Sequence, residues 1–262
     1  MNNGLMPSEP TLFDLEGEKP PVSGTCGSTE LPGLDALDWN ALYDELNTRG
    51  VAVTPPLLLR EQCDELVGTF DQPGLFRSSV VMQRHGFGRG TYKYFGHATT
   101  PRLVRALREG MYPGMAWMAN QWAALLGERT FPADLDQLLA ECAAHGQVRP
   151  TPLILQYGPG GYASLHQDVY GELVFPLQVA FMLNDPDVDF TGGESVFVER
   201  QPRAQSRPIV VRPRLGQGVI FPVRHRPVRG AHGMRRHAVQ HGTGEVLSGR
   251  RTVLGVIFHN AS

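Results

Sequence analysis

The chain has 262 residues, 24 basic and 26 acidic, for a formal net charge of −2. That near-balance excludes a uniformly basic nucleic-acid binder, and 41% hydrophobic with 19% charged residues excludes a disordered chain. Thirty Gly and 21 Pro argue against a helical bundle and for many turns and short strands.

Residues 1–32 are rich in Pro, Gly, Ser and Glu and lack periodicity, which predicts a disordered acidic tail. Within it, Leu12-Phe13 loosely resembles the peptides by which bacterial DNA-maintenance proteins hold the sliding clamp, with Glu9 where that motif has Gln. Residues 33–150 read as a helix-rich part packed on a core. Asp38 is placed to cap a helix carrying Trp39, Leu42, Tyr43 and Leu46, which Gly50 ends. A short strand follows at Val51–Val53, then a helix at Leu58–Phe70. Ser79–Phe95 predicts a β-hairpin lid around His85-Gly86-Phe87-Gly88-Arg89-Gly90, and residues 101–145 read as helices.

After Pro150 the texture changes to short apolar runs, at Leu153–Tyr157, Phe175–Leu183, Ser195–Val198, Ile209–Val211, Val219–Val223 and Thr252–Phe258. These predict an α+β protein with a mainly β core: a jelly roll over 151–262 with supporting N-terminal helices, 33–262 forming one folded unit. The N-terminus has no signal-peptide pattern and no run approaches 18 apolar residues, so a cytoplasmic protein is expected. Cys26, Cys63 and Cys142 form no CxxC, which implies neither a disulfide framework nor a thiolate metal site.

Charge is segregated along the chain. Residues 1–50 carry net −7, whereas residues 200–251 hold twelve Arg against Glu245 alone, net +11. Guanidinium pairs bidentately with carboxylate or phosphate, so the basic stretch is a candidate face for an anionic ligand.

The one His-x-Asp is His166-Gln167-Asp168. On a strand, residues two apart share a face, so both side chains are expected to reach one ion. With a distal His they would form the two-imidazole, one-carboxylate facial set of non-haem Fe(II) oxygenases. Five His follow Asp168: His225, His232, His237, His241 and His259.

These residues resemble the Fe(II)- and 2-oxoglutarate-dependent dioxygenases, in particular the prolyl 4-hydroxylase-like branch. The shared pattern is Tyr157-Gly158-Pro159-Gly160-Gly161, His166-Gln167-Asp168, Leu183-Asn184-Asp185, Gly192-Gly193-Glu194 and Gly218-Val219-Ile220-Phe221, then His241 with Gly249 and Arg251 eight and ten residues on. The resemblance implies a double-stranded β-helix with the metal on His166, Asp168 and His241. It implies Fe(II), 2-oxoglutarate and O2 as cofactors, with succinate and CO2 released. Arg251 would anchor the cosubstrate carboxylate, Arg250 taking its place if the register slips by one, and Tyr157 would donate a hydroxyl. Residues 222–240, with five Arg, form an insertion relative to the branch and are a candidate substrate loop.

Arg84, Arg89, Tyr92 and Lys93 mix cations and an aromatic on the predicted lid hairpin and are the candidate substrate residues. Tyr-Gly-Pro-Gly and His-Gln-Asp are also similar to a bacterial family of oxygenases proposed to act on damaged DNA, whose reaction would be an oxidative demethylation. The prolyl-hydroxylase-like spacing implies instead a polypeptide or small-molecule hydroxylase. A zinc hydrolase and a metal-free jelly-roll binding module are the more distant readings.

Overall fold

The computed structural model describes residue 31, residues 33–201 and residues 204–262. The expected tail and its Leu12-Phe13 segment lie outside the described residues. Four helices are α1 (Trp39–Arg49), α2 (Arg60–Thr69), α3 (Arg102–Leu126) and α4 (Leu135–Ala144). The strands are β1 (Ala52–Pro56), β2 (Phe76–Val81), β3 (Gly88–Arg89), β4 (Thr91–Phe95), β5 (Leu153–Tyr157), β6 (Tyr162–His166), β7 (Leu177–Met182), β8 (Phe190–Gly192), β9 (Ser195–Arg200), β10 (Arg207–Val211), β11 (Gln217–Pro222), β12 (His225–Gly230), β13 (Gly233–Thr243), β14 (Val246–Gly249) and β15 (Arg251–Ile257).

Helix α1 forms as its sequence dictates. The Asp38 carboxylate accepts from Ala41 N at 3.0 Å, and Gly50, at φ 90°, closes the last turn. The helical stretches expected between 101 and 126 are one helix, α3, with Pro113 inside it. An interior Pro costs roughly 3 kcal/mol. Burial of Met111, Tyr112, Met115, Met118 and Trp122 on the same helix, each contributing about 1.5–3 kcal/mol, outweighs that cost.

The strands build two antiparallel sheets, in the order β1-β11-β7-β15-β5-β4-β2 and β10-β9-β13-β6-β3, with β12 paired to β13 and a small β8/β14 ribbon. This is the jelly roll expected. Strand β15, central in the larger sheet, is buried at every position, so its two faces serve different layers. Leu254 and Val256 join the core shared with α1–α4, while Val253 packs in the cluster between the sheets with Tyr157 and Met182.

Residues 33–150 do more than support the core. They supply β1, β2 and β4 to the larger sheet and β3 to the smaller one. The predicted hairpin exists as β2 and β4, but it is an edge of the sheet. Its tip is joined to the smaller sheet, with Ser164 N donating to Phe87 O at 2.9 Å and β3 pairing with β6. Gly88 permits that pairing: at φ 125°, a Cβ there would lie 2.3 Å from Tyr162 O.

The 222–240 insertion forms a hairpin of β12 and β13, and His225 starts β12. Arg226 is buried, donating to the Glu199 carboxylate and to Asn47 O, while Arg236 and His225 both reach Glu128 at the end of α3. Two of the five Arg of this stretch, Arg226 and Arg236, thus tie the hairpin to neighbouring elements. Among the described residues, no helix is long and apolar enough to cross a membrane.

Candidate active site

Strands β6 and β13 are antiparallel neighbours with His166 directly opposite His241, and their rings lie 4.2 Å apart. Asp168 does not share a strand face with His166, as alternation predicted, because β6 ends at His166. The chain turns inward instead. Asp168 Oδ2 sits 3.1 Å from His241 Nε2, and Oδ1 sits 3.6 Å from His166 Nε2. One ligand atom from each of the three lies within 4.8 Å of the others, the one such group of His, Cys, Asp or Glu among the described residues.

The other four histidines are placed elsewhere. His237 meets Glu199 at 2.6 Å and His225 meets Glu128 at 3.3 Å, while His259 accepts from Phe175 N at 3.3 Å and His232 lies in the turn between β12 and β13.

The protonation states suit a cation. Burial opposes ionisation of Asp168, but His241, His166 and the Tyr170 hydroxyl outweigh it and hold the carboxyl well below its usual range. Partial burial and the neighbouring His241 lower the pKa of His166, favouring the neutral ring a metal needs. His166 Nδ1 lies 2.8 Å from Ser164 O; donating there leaves Nε2 free to ligate. Two nitrogens and one carboxylate oxygen on a face, with no thiolate among them, fit Fe(II). The free cysteines Cys63 and Cys142 are buried elsewhere.

The three residues open onto a cavity of about 380 Å³ between the sheets. Arg251 also lines it, projecting inward from β15 as Val253 and Gly255 do. Its Nη2 donates to Ser195 Oγ at 3.1 Å, its Nε has no partner, and it is 3% exposed. Among the described residues no carboxylate pairs with it. Burial lowers its pKa to about 10, which leaves it charged at neutral pH. A buried, unpaired guanidinium is unfavourable unless an anion completes it. The fold makes room for it at Gly193, where a Cβ would lie 2.8 Å from Arg251 Cδ. Arg250, by contrast, is exposed and lies just before the strand. Tyr157 is buried in the same cavity and hydrogen-bonded to Thr243, and burial raises its pKa, so its hydroxyl stays protonated.

Of the four substrate candidates, Tyr92 lines the cavity, while Arg84 and Arg89 are exposed beside the rim. Lys93 faces away from the cavity: its Nζ donates to Phe70 O at 2.6 Å and sits 4.1 Å over the Phe70 ring. Sequence reasoning missed Phe87, Leu165, Tyr94 and Tyr170, which also line the cavity. Two of these carried a faint signal: Tyr94 alternates with Tyr92, and Tyr170 follows Asp168 by two.

A double-stranded β-helix with two imidazoles and a carboxylate meeting at its cavity is the architecture of a mononuclear non-haem iron oxygenase. Solved structures share the fold. A prolyl-4-hydroxylase of Pseudomonas putida has a TM-score of 0.51 and 14% identity, over 86% of this chain and 100% of that one. A prolyl hydroxylase of Trichoplax adhaerens, solved with a peptide of the hypoxia inducible factor oxygen degradation domain, has a TM-score of 0.52 and 16% identity, over 84% of this chain and 89% of that one. An uncharacterized protein of Mycobacterium tuberculosis is 46% identical over 162 residues, 62% of this chain and 70% of that protein. Residues 90–261 match the profile of a family described as oxygenases catalysing oxidative methylation of damaged DNA. The chain belongs to that family and is an oxidoreductase.

Proposed function

We propose that the protein is an Fe(II)- and 2-oxoglutarate-dependent dioxygenase that oxidises a methyl C–H bond on a damaged DNA base, an oxidative demethylation. The observation that carries the cofactor assignment is Arg251, a buried guanidinium without an acid partner, in the same cavity as three residues suited to Fe(II). His166, Asp168 and His241 would hold the metal. Arg251 and Ser195 would take the far carboxylate of 2-oxoglutarate, with Tyr157 donating its hydroxyl nearby. When bound, Fe(II) and 2-oxoglutarate supply O2 activation, with succinate and CO2 as products.

Two features of this chain support a nucleobase as the group oxidised. The cavity rim carries Phe87 and Leu165, 49% and 44% exposed, with the His85 ring stacked 5.4 Å from Phe87. Exposed Arg84 and Arg89 flank that rim and have no acidic partner among the described residues. Aromatic surface beside free cations suits an unpaired base and its phosphates. The walls behind, Leu153, Leu155 and Val253, exclude water from the reacting group.

The test is anaerobic calorimetry with Fe(II) and 2-oxoglutarate, followed by aerobic turnover on a methylated oligonucleotide. Binding that is lost in His166→Ala, with formaldehyde and succinate formed in equal amounts, is the expected result. Undiminished binding in His166→Ala overturns the metal assignment. Succinate without formaldehyde from any methylated DNA overturns the substrate.

A further inference from the structure

Asp168 has a partner outside the three-residue set. Tyr170 Oη donates to Asp168 Oδ1 at 2.5 Å, and Tyr94 Oη donates to Tyr170 Oη at 3.1 Å. The two tyrosine rings meet edge to face with centroids 6.3 Å apart. Arg77 lies 4.5 Å over the Tyr94 ring, and its own Nε is fixed on Pro150 O at 2.9 Å. A continuous line of contacts therefore runs from the backbone before β5, through Arg77, Tyr94 and Tyr170, to the carboxylate.

This line makes the two oxygens of Asp168 unequal. Oδ1 accepts a phenol at a distance typical of a charge-assisted O–H···O⁻ bond. Oδ2 faces His241 Nε2 at 3.1 Å. A facial three-residue site works by leaving three metal positions open, and a carboxylate that chelates through both oxygens takes one of them away. We propose that Tyr170, oriented by Tyr94, is a positioning residue that reserves Oδ1 and presents Oδ2 alone to the metal. The inference rests on His166, Asp168 and His241 being the metal centre. Partners of this kind around ligands change metal affinity by about 10- to 100-fold.

The experiment titrates the metal-free full chain with Mn(II), a redox-stable substitute for Fe(II), by calorimetry. Wild-type binding that disappears in His166→Ala fixes the site. Tyr170→Phe keeps the ring and removes the hydroxyl, and is expected to weaken Mn(II) tenfold or more. Tyr94→Phe, acting at one remove, is expected to weaken it threefold or more. The double variant is expected to match Tyr170→Phe, because Tyr94 acts only through the Tyr170 hydroxyl. Metal-free melting curves check that each variant is folded at the titration temperature, so that the loss read by calorimetry belongs to the site and not to unfolding. Mn(II) affinity of Tyr170→Phe within twofold of wild type, or losses that add in the double variant, overturns the proposal. If Tyr170→Phe does not fold, Tyr94→Phe decides: a threefold loss supports the relay and no change overturns it. A wild-type chain that binds no Mn(II) sinks the metal centre itself, a result distinct from all of these.

Discussion

At the residue scale, two buried groups make opposite demands. Arg251 keeps its charge in a buried site with Ser195 Oγ as its one side-chain hydrogen-bond acceptor and no carboxylate in contact, an arrangement that favours an incoming anion. Arg251→Ala is therefore expected to weaken 2-oxoglutarate by roughly 100-fold, about 3 kcal/mol of charge-assisted hydrogen bonding. Arg250→Ala is expected to leave it unchanged, and calorimetry on the metal-loaded protein separates the two. His259 solves its burial the other way, by losing its charge. Burial lowers its pKa from 6.5 to about 4. The unfolded chain regains the ordinary value and binds a proton the folded chain refuses. Stability from neutral His259 is thus complete above pH 6.5 and is lost as pH falls toward 4, by up to about 3 kcal/mol. Urea unfolding of the metal-free protein at pH 7.5 and 4.5 should show this loss, and His259→Leu should reduce it. A variant with the full wild-type pH dependence would refute the assignment.

At the element scale, two helical glycines show how packing overrides propensity. In α3, a Cβ at Gly114 would lie 2.1 Å from the Trp39 ring, so α1 and α3 meet only because this position has no side chain. Gly114→Ala is expected to cost about 3 kcal/mol or more through overpacking. In α2, nothing lies within 4 Å of a Cβ at Gly68. Gly68→Ala is expected to stabilise by about 0.5–1 kcal/mol, since only backbone entropy changes. Thermal melts of the two variants, moving in opposite directions, check both. The periodicity of α1 was legible because its buried stripe faces one layer. The unity of α3 was not, because a Pro reads as a break until the partners that hold the helix together are known.

At the scale of the whole molecule, the segregated charge has divided uses. Arg226 and Glu199 are both almost fully buried, their side chains 5% and 1% exposed. Glu199→Gln should destabilise by about 3–5 kcal/mol, because it leaves a buried guanidinium with no charged partner. Arg84 and Arg89, outside the basic stretch, lie instead beside the active-site rim. Replacing both with Ala is expected to lower the slope of log affinity for DNA against log salt by about 2, while 2-oxoglutarate affinity stays constant. Fluorescence anisotropy across a salt series reads the slope, and an unchanged slope would remove these residues from the proposed DNA-binding face.

The sequence by itself determined the chemistry near the chain. His166-Gln167-Asp168, the Gly-Gly pair at 192–193 and the Gly249-to-Arg251 step are short-range patterns at strand ends, where a few neighbouring residues settle the local geometry. Face alternation along β15 was legible for the same reason: a period of two needs no tertiary knowledge. Only the tertiary structure decided what depends on distant pairing. It set His166 opposite His241 across 75 residues, turned Lys93 away from the cavity, folded the 222–240 insertion into a hairpin tied to α3, and brought Tyr94 to Tyr170 beside Asp168. Those relations follow from sheet register, which non-local pairing and burial fix together, and no local pattern encodes them.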